Sequence, residues 1–292
     1  MYLHYKIGGI VLGIETDCEY LLNRMVSFSV PCEAPDLKIK MHTTQRAITD
    51  PDGDVLINDG YVLWMRKSDG SKGFITYVRS KLTGDILALL EIDSQWKNAS
   101  IVFDTRTDAK INNIDAGTYI AFHVVGVVYR FFCLMHDGLV IHSSSIDFKG
   151  KGLVFTAPAG TGKSTHVKLW ETHMGEAVSV INDDTPIIRL FDGIPYLCGT
   201  PWSGSSDKFL NRCVPLTAII VLQRGIKNEI QRLSKSETTP YLMPRCLMPY
   251  FDSTLMNSAI ETYEKIITTT PVYLLKCKPD KEAMELVYRS VV

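Results

Sequence analysis

The residues whose types and spacing most clearly suggest chemistry lie near the middle of the chain, in the run Ala157-Pro158-Ala159-Gly160-Thr161-Gly162-Lys163-Ser164. This run fits the pattern of a phosphate-binding loop, with Ala157 in place of the usual first glycine. In such a loop, small residues let backbone N–H groups surround phosphate oxygens, the lysine reaches the β- and γ-oxygens, and the serine hydroxyl ligates Mg²⁺. We therefore expect a nucleoside triphosphate to be bound by Ala159, Gly160, Thr161, Gly162, Lys163, Ser164 and Thr165. A turn-rich loop without a ligand is the alternative interpretation.

Two adjacent aspartates, Asp183 and Asp184, form the second candidate group and follow an apolar run at 177–181. Because Ser164 supplies only one oxygen to a metal ion, a carboxylate must supply another, and nucleotide-binding proteins place it at the end of a strand. One aspartate would hold Mg²⁺ while the other accepts the proton of an attacking hydroxyl. Adjacent strand residues point to opposite faces, so both reach the site only if the strand has already ended. The residues alone leave the two roles open, and an exposed turn before Pro186 is the competing interpretation.

Three further candidates are Trp202, Arg212 and His142. Trp202 lies in the loop-like run 199–204 and offers either an apolar wall for a ligand or an anchor for the loop. Arg212 precedes a predicted strand and would stabilise charge on a transferring phosphoryl group, unless it is an ordinary surface residue. His142 lies on an apolar strand, where a lone histidine is more often a satisfied core residue.

The elements around these residues must bring them together. The predicted elements are a helix at 116–135, a turn at 136–138, strands at 139–146 and 152–155, a helix from 163, strands at 177–181, 216–222 and 272–276, a loop at 234–240, and helices at 253–267 and 280–288. The helix from Lys163 would direct its N-terminal N–H groups at an anion. The strand that feeds the loop has a predicted hairpin partner immediately before it, unlike the common P-loop domain of parallel βα units.

The first part of the chain, at 1–112, has the sequence pattern of β-strands rather than of alternating strands and helices. Short apolar or alternating runs predict strands at 55–57, 61–65, 73–79 and 85–92, separated by turn sequences at 58–60, 68–71 and 83–84. This pattern is typical of an antiparallel meander. Asp50, Asp52 and Asp54 resemble a metal-binding cluster, but their composition is also that of a turn. We therefore predict a β-rich N-terminal domain at 1–112 and a nucleotide-binding α/β domain at 113–292.

Composition excludes several classes of protein. The net charge is −1 and charged residues make up 22%, so no basic field indicates nucleic-acid binding. The seven cysteines are scattered without a CxxC pair, which argues against a disulfide framework or a structural zinc site and suits a reducing cytosol. No signal peptide is recognisable at the N-terminus, and His123 and Arg130 make the apolar stretch 119–135 a buried helix rather than a membrane span. We expect a cytoplasmic protein that binds neither nucleic acid nor membrane.

Four segments in this order resemble one group of families: 141–145, the phosphate loop, 181–184, and 199–204 followed by Arg212. The series is similar to that of ATP-dependent phosphoenolpyruvate carboxykinases and of HPr serine kinase/phosphorylases. It resembles most closely the small HPr-kinase-related proteins of bacterial peptide-modification systems. The resemblance implies a carboxykinase/HPr kinase-like fold, binding of ATP rather than GTP, and assembly into a homo-oligomer.

The resemblance also implies roles for individual residues. His142 would lie near the γ-phosphate as a metal ligand or proton-handling group, with Asp183 as the base and Asp184 as a metal partner. The acceptor would meet Trp202, Ser203 and Gly204. Relatives often carry a lysine after this segment, whereas Ser205 follows here, a departure that concerns the acceptor contact and not the nucleotide.

The sequence thus predicts a kinase that uses ATP and Mg²⁺ and transfers the γ-phosphoryl group to a hydroxyl, most plausibly a serine of a peptide or small protein. A nucleotide-gated scaffold of a peptide-modification system and a kinase of a free amino acid or other small molecule remain alternatives. Carboxykinase activity is disfavoured for two reasons. The chain is much shorter than those enzymes, and the basic residues with which they bind oxaloacetate are not recognisable in its β-rich N-terminal part.

Overall fold

The structure, a computed structural model, describes residues 1–58, 63–106, 108–204 and 206–292. The predicted turn at 58–60, the start of the predicted strand at 61–65 and Ser205 lie at least partly outside the described residues. The chain divides into two compact units, which are described separately. Unit 1 comprises Met1–Phe132 and Tyr250–Ser253, and unit 2 comprises Cys133–Pro249 and Thr254–Val292. The boundary therefore falls in the last turn of the helix at 116–134, and not before that helix as the prediction had it.

Unit 1 is built mainly of strands. Its strands and helices are β1 (Tyr2–Ile7), β2 (Ile10–Glu15), α1 (Glu19–Met25), β3 (Ser29–Val30), β4 (Leu37–Thr44), β5 (Gly53–Asn58), β6 (Leu63–Lys67), β7 (Phe74–Arg79), β8 (Ile86–Ile92), β9 (Asn98–Asp104), β10 (Lys110–Ile111), β11 (Ile114–Asp115) and α2 (Ala116–Leu134). Among the described residues, nine of these strands form one sheet in the order β3-β1-β2-β4-β9-β8-β7-β6-β5. One face of β4 is apolar because buried Leu37, Ile39 and Met41 alternate with exposed side chains.

The predicted antiparallel meander over 55–92 is confirmed, because β5 to β8 pair antiparallel in succession. β4, a strand that was not predicted, pairs parallel with both β2 and β9. The chain between β2 and β4 contains α1, and a long connection of this kind is what allows parallel pairing. Turn sequences predict hairpins between neighbours in sequence, but they carry no information about such a crossover.

The predicted helix near residue 116 is confirmed as α2. Among the described residues, α2 is the one helix long and apolar enough to cross a membrane, and 67% of its most apolar window is buried. Within unit 1 its Tyr129 hydroxyl donates a hydrogen bond to the Ile7 carbonyl over 3.0 Å. These contacts are those of a core helix, as the sequence predicted.

The acidic residues near the start of β5 contact side chains that lie later in unit 1. Asp50 pairs with Arg79, and Asp52 accepts a hydrogen bond from the Ser68 hydroxyl. Within the described ranges, no group of three or more His, Cys, Asp or Glu side chains is arranged to hold a metal ion.

Unit 2 contains the predicted loop. Its elements are β12 (Gly138–Val140), β13 (Ser143–Phe148), β14 (Lys151–Thr156), α3 (Lys163–Met174), β15 (Val178–Asn182), β16 (Ile187–Phe191), β17 (Ile194–Cys198), β18 (Cys213–Arg224), β19 (Glu229–Arg232), α4 (Lys235–Leu242), α5 (Ser253–Thr269), β20 (Val272–Cys277) and α6 (Lys281–Val291). The strands form a mixed sheet in the order β12-β16-β17-β18-β14-β13-β15, with β20 beside β18 and β19 beside β20. Both units are therefore sheet-based, and the molecule is a mixed α/β protein. The predicted hairpin before the loop is confirmed, because β13 and β14 pair antiparallel.

Two predicted segments differ from the structure. The strand expected at 139–146 is two strands, β12 and β13, because the chain leaves β16 at Ile141 and joins β14 from Ser143 onward. The loop expected at 234–240 is instead the helix α4, which begins with a capping box in which Ser234 and Glu237 satisfy each other's backbone N–H groups.

A disulfide joins Cys198 to Cys213. The two residues lie directly opposite each other on the antiparallel strands β17 and β18. This bond is contrary to the expectation of unpaired cysteines, which rested on spacing alone. Spacing gives no indication that two strands of one sheet bring these residues together.

The apolar core of unit 2 holds the loop in place. Phe148, Phe155, Trp170 and Ile220 are buried in one cluster that joins α3 and α6 to β13, β14 and β18. Burying several large side chains of this kind contributes about 1.5–3 kcal/mol each. The ends of β14 and α3, between which the loop runs, are therefore fixed by packing.

Candidate functional site

The loop at 157–162 connects β14 to α3 and turns sharply at two glycines. Gly160 has φ of +72° and Gly162, the residue before the helix, has φ of +117°. Residues with a side chain rarely adopt these positive φ values, so only glycine fits at either position without strain. Gly162 has no side chain to cap α3, which leaves the first N–H groups of the helix for another acceptor. A helix start of this kind favours an anion.

Three side chains meet beside this helix start. Lys163 Nζ lies 2.9 Å from His142 Nε2, and His142 Nδ1 lies 3.2 Å from Asp184 Oδ1. These contacts are all satisfied when Nδ1 carries the proton, donates to the carboxylate, and leaves Nε2 to accept from the ammonium. The structure therefore brings together three residues that the sequence proposed separately.

The environment of Lys163 changes the pKa of its ammonium. Burial lowers the pKa of its ammonium, the carboxylate of Asp184 opposes that change, and the charge of Arg245 lowers the pKa further. A partly desolvated ammonium attracts the negative charge of a ligand more strongly than one in bulk water, because the local dielectric constant is lower. Arg245 is a cation near this site that the sequence did not indicate.

His142 is held where β12 ends and β13 begins. Its backbone N–H donates to the Arg245 carbonyl over 2.8 Å, and its carbonyl accepts from the Thr156 hydroxyl over 2.8 Å. Next to it, Ile141 forms a β-bridge with Cys246. Ile141 and His142, which connect β12 to β13, are thus paired with Arg245 and Cys246. This pairing fixes the backbone from which the imidazole projects.

Asn182, the last residue of β15, organises the acidic pair. It is fully buried, and its Oδ1 accepts hydrogen bonds from the backbone of Asp184 at 2.8 Å and of Thr185 at 2.7 Å. Its Nδ2 donates to the carbonyls of Thr200 at 2.9 Å and Trp202 at 3.0 Å. The first two bonds form a turn of the kind that Asn side chains favour. The strand has therefore ended before Asp183, which is the condition for both aspartates to reach one site.

The oxygens near this turn are suited to a hard cation. Asp183 Oδ1 is buried and has no hydrogen-bond partner among the described residues, which is costly for a carboxylate. The hydroxyl of Ser164 lies 3.5 Å from that of Ser144, and the charges of both aspartates act on the neighbouring Lys163. Mg²⁺ prefers such oxygens and binds through one or two carboxylates together with substrate phosphates. Ser164 and one carboxylate of the pair Asp183 and Asp184 therefore form a donor set that fits Mg²⁺, which leaves the other carboxylate to accept a proton.

Arg212 is placed differently from the other predicted residues. Its Nη1 lies 2.9 Å from Asp147 Oδ2, and the side chain of Asp147 is buried beside the β13–β14 turn. Asp147 is four positions along β13 from Ser143, where that strand begins beside His142. The described contacts do not bring Arg212 to Lys163, so its role at the phosphoryl group stays a prediction that requires this ion pair to open.

The predicted acceptor loop is largely buried. Trp202 and Ser203 are each 1% exposed, and the Trp202 carbonyl accepts from the Thr185 hydroxyl over 2.6 Å. Such burial is typical of residues that anchor a loop, which is the second of the two roles considered for Trp202. Substrate contact by the side chains of Trp202 and Ser203 stays a prediction. Gly204 is exposed and lies against Asp184, since a Cβ there would be 3.2 Å from that residue's Cβ. Of the three, Gly204 is therefore the residue beside the acidic pair.

Some of the residues around the site could not be singled out from the sequence. Arg245 comes close only through the long-range bridge to Ile141, for which no local signal exists. The organising role of Asn182 also depends on a long-range contact, because its side chain donates hydrogen bonds to the loop at 199–204. His166, the fourth residue of α3, is 3% exposed, and no local signal in the sequence indicates its burial.

Comparison with known proteins gives little beyond this geometry. The sequence matches no protein-family profile and no curated protein. Among solved structures, the chain is similar to the HPr(Ser) kinase/phosphatase from Coxiella burnetii, with 12% sequence identity over 51% of this chain and 93% of that chain, and a TM-score of 0.30. The proposals that follow therefore rest on the geometry of the site and not on this likeness.

Proposed function

We propose that the chain is a phosphotransferase that uses ATP and Mg²⁺ and transfers the γ-phosphoryl group to a hydroxyl. The observation that carries this proposal is the line Lys163–His142–Asp184 beside a glycine-shaped helix start, with contacts of 2.9 and 3.2 Å. A cation, an imidazole and a carboxylate at one anion-binding helix end are the groups that phosphoryl transfer requires for charge neutralisation and proton handling.

Each group has a role within this proposal. The backbone N–H groups of 160–164 and the ammonium of Lys163 hold the phosphates, while Ser164 and Asp184 hold Mg²⁺. ATP supplies the phosphoryl group, and Mg²⁺ neutralises charge on its oxygens. Asp183 accepts the proton of the attacking hydroxyl, as its partnerless oxygen is suited to do. His142 orients Asp184 by its Nδ1–H and keeps Lys163 in place when no phosphate is present.

The proposed acceptor is a serine of a peptide or small protein. Gly204 is exposed beside Asp184, at the end of an otherwise buried loop, so a chain segment rather than a deeply enclosed metabolite has access there. A kinase of a free amino acid would place the same chemistry on another acceptor, and the experiment below separates the two.

The experiment is transfer of γ-labelled phosphate from ATP with Mg²⁺ into an extract of the source cells, separated by mass. The wild type is compared with Lys163→Ala and with Lys168→Ala, a matched change at an exposed lysine of the same helix. We expect label in a discrete peptide or protein with the wild type and the Lys168 variant only. Label in a metabolite would change the acceptor class. Binding of ATP without transfer to any component would refute the kinase in favour of a nucleotide-gated scaffold.

A further inference from the structure

Unit 2 contains a cavity of about 390 Å³ next to the phosphate loop. It is enclosed by residues 160–162 of the loop, by Thr165 and His166 of α3, and by the ends of β18 and β20 around Arg224 and Lys278. Its volume lies within the range of about 300–1,000 Å³ that small-molecule sites occupy. None of the roles proposed above uses this cavity, although it shares a wall with the phosphate loop.

His166 is a buried polar group on the wall of this cavity. Its side chain is 3% exposed, and Nε2 has no hydrogen-bond partner among the described residues. The ring packs against Phe155 with 4.8 Å between centroids, so packing fixes its position. A buried polar atom without a partner costs about 1–3 kcal/mol, which a ligand that completes the hydrogen bond would recover. The sequence gives no reason for a polar residue at this place in the core.

The part of the wall formed by the ends of β18 and β20 is tied to the loop by hydrogen bonds. Arg224 Nη2 donates a hydrogen bond to the Gly160 carbonyl over 2.7 Å. Arg224 pairs with Cys277 in the register of β18 and β20, and the Gly225 N–H donates to the Cys277 carbonyl over 3.0 Å. The two strand ends therefore form one surface on which the loop rests. A ligand whose phosphates lie on the loop has its remaining part next to this surface.

We propose that this cavity binds the nucleoside half of the triphosphate, and that the imidazole of His166 makes a hydrogen bond to it. Arg224 is a positioning residue, which holds the loop against the strand ends so that both halves of the ligand fit together. The inference rests on the proposed function, because the phosphates must first be bound by the loop. The Nε2 atom of His166, which has no partner among the described residues, is the ring nitrogen available for that bond.

The test compares two ligands that share the phosphates and differ in the nucleoside. Affinities of MgATP and of Mg²⁺ with inorganic tripolyphosphate are measured by calorimetry for the wild type, His166→Leu and His173→Leu. His173 is an exposed residue of the same helix, so its variant is a matched control. We expect the wild type and the control to prefer ATP, and His166→Leu to lose about tenfold in ATP affinity. Its affinity for tripolyphosphate should not change.

The outcomes separate the two proposals. Equal affinity of the wild type for both ligands overturns the nucleoside site and leaves phosphate binding by the loop intact. Binding of neither ligand overturns both. Equal loss of both ligands in a folded His166→Leu protein means that the histidine acts only on the fold. If that variant does not fold, Pro279→Trp, at the exposed rim, places an indole in the cavity and should lower ATP affinity alone. Unchanged ATP affinity in this variant would contradict the assignment.

Discussion

Replacing His166 by leucine should remove an acid sensitivity that is built into the core of unit 2. Desolvation lowers the pKa of this imidazole from 6.5 to about 4 in the folded chain. Between these pH values the unfolded chain binds a proton that the native protein does not. Protonation therefore stabilises the unfolded state, and the free energy of unfolding falls as pH is lowered through this range. Above about pH 6.5 the histidine is neutral in both states and contributes no pH dependence.

The size of the effect follows from the two pKa values. Each pH unit between them costs about 1.4 kcal/mol, so the wild type loses about 2 kcal/mol at pH 5 and about 3 kcal/mol near pH 4 from this residue. The histidine is only 3% exposed, so solvent screening does not reduce these figures appreciably. His166→Leu keeps an apolar side chain of similar size beside Phe155 and has no proton to gain.

Two measurements check the prediction. A histidine titration followed by NMR should show the ring of His166 unprotonated well below pH 6.5. Urea unfolding at about pH 7.5 and about pH 5 should show a smaller loss of stability at the lower pH for His166→Leu than for the wild type or His173→Leu. A His166 resonance that titrates near 6.5, or parallel losses in all three proteins, would refute the reasoning.

The other predictions concern the acidic turn and one helix. Asn182→Ala should cost about 2–4 kcal/mol in urea unfolding, since it leaves several buried backbone groups unpaired, whereas Asn257→Ala on the exposed face of α5 should cost less than about 0.5. An equal effect of the two would contradict the organising role. Asp184→Asn should raise the Mg²⁺ concentration needed for turnover, while Asp183→Asn should lower kcat about a hundredfold or more at saturating Mg²⁺; the reverse pattern in a Mg²⁺ titration would exchange their roles. Ser234→Ala should lower the free energy of unfolding by about 1 kcal/mol through loss of the α4 cap, and no change would show that the capping box does not form.

Local sequence signals were sufficient for the elements that carry the loop. The apolar run before residue 157, the glycines and the polar turn at 147–151 together predicted the hairpin and the helix start, because each signal acts within a few residues. The position of Asp183 and Asp184 just after a strand was predicted for the same reason. Their approach to Lys163 then follows from the order of the strands.

Features that depend on distant parts of the chain could not be predicted. The parallel pairing of β4, the Cys198–Cys213 bond and the approach of Arg245 all arise where strands remote in sequence become neighbours. The helix α4 was missed for another reason, since the serines, threonines and Pro240 at 234–240 have loop composition and the Ser234–Glu237 capping pattern was not considered. The burial of His166 follows from the face of α3 that packs on Phe155, which composition does not reveal.

The central claim is that the glycine-shaped loop and the line Lys163–His142–Asp184 bind a magnesium nucleotide. The most direct measurement is calorimetric titration of wild type, Lys163→Ala and Lys168→Ala with ATP in the presence and absence of Mg²⁺. The account predicts Mg²⁺-dependent binding by the wild type and Lys168→Ala, and affinity at least about a hundredfold weaker for Lys163→Ala. Equal affinity of all three proteins, or no binding by the wild type, would contradict it.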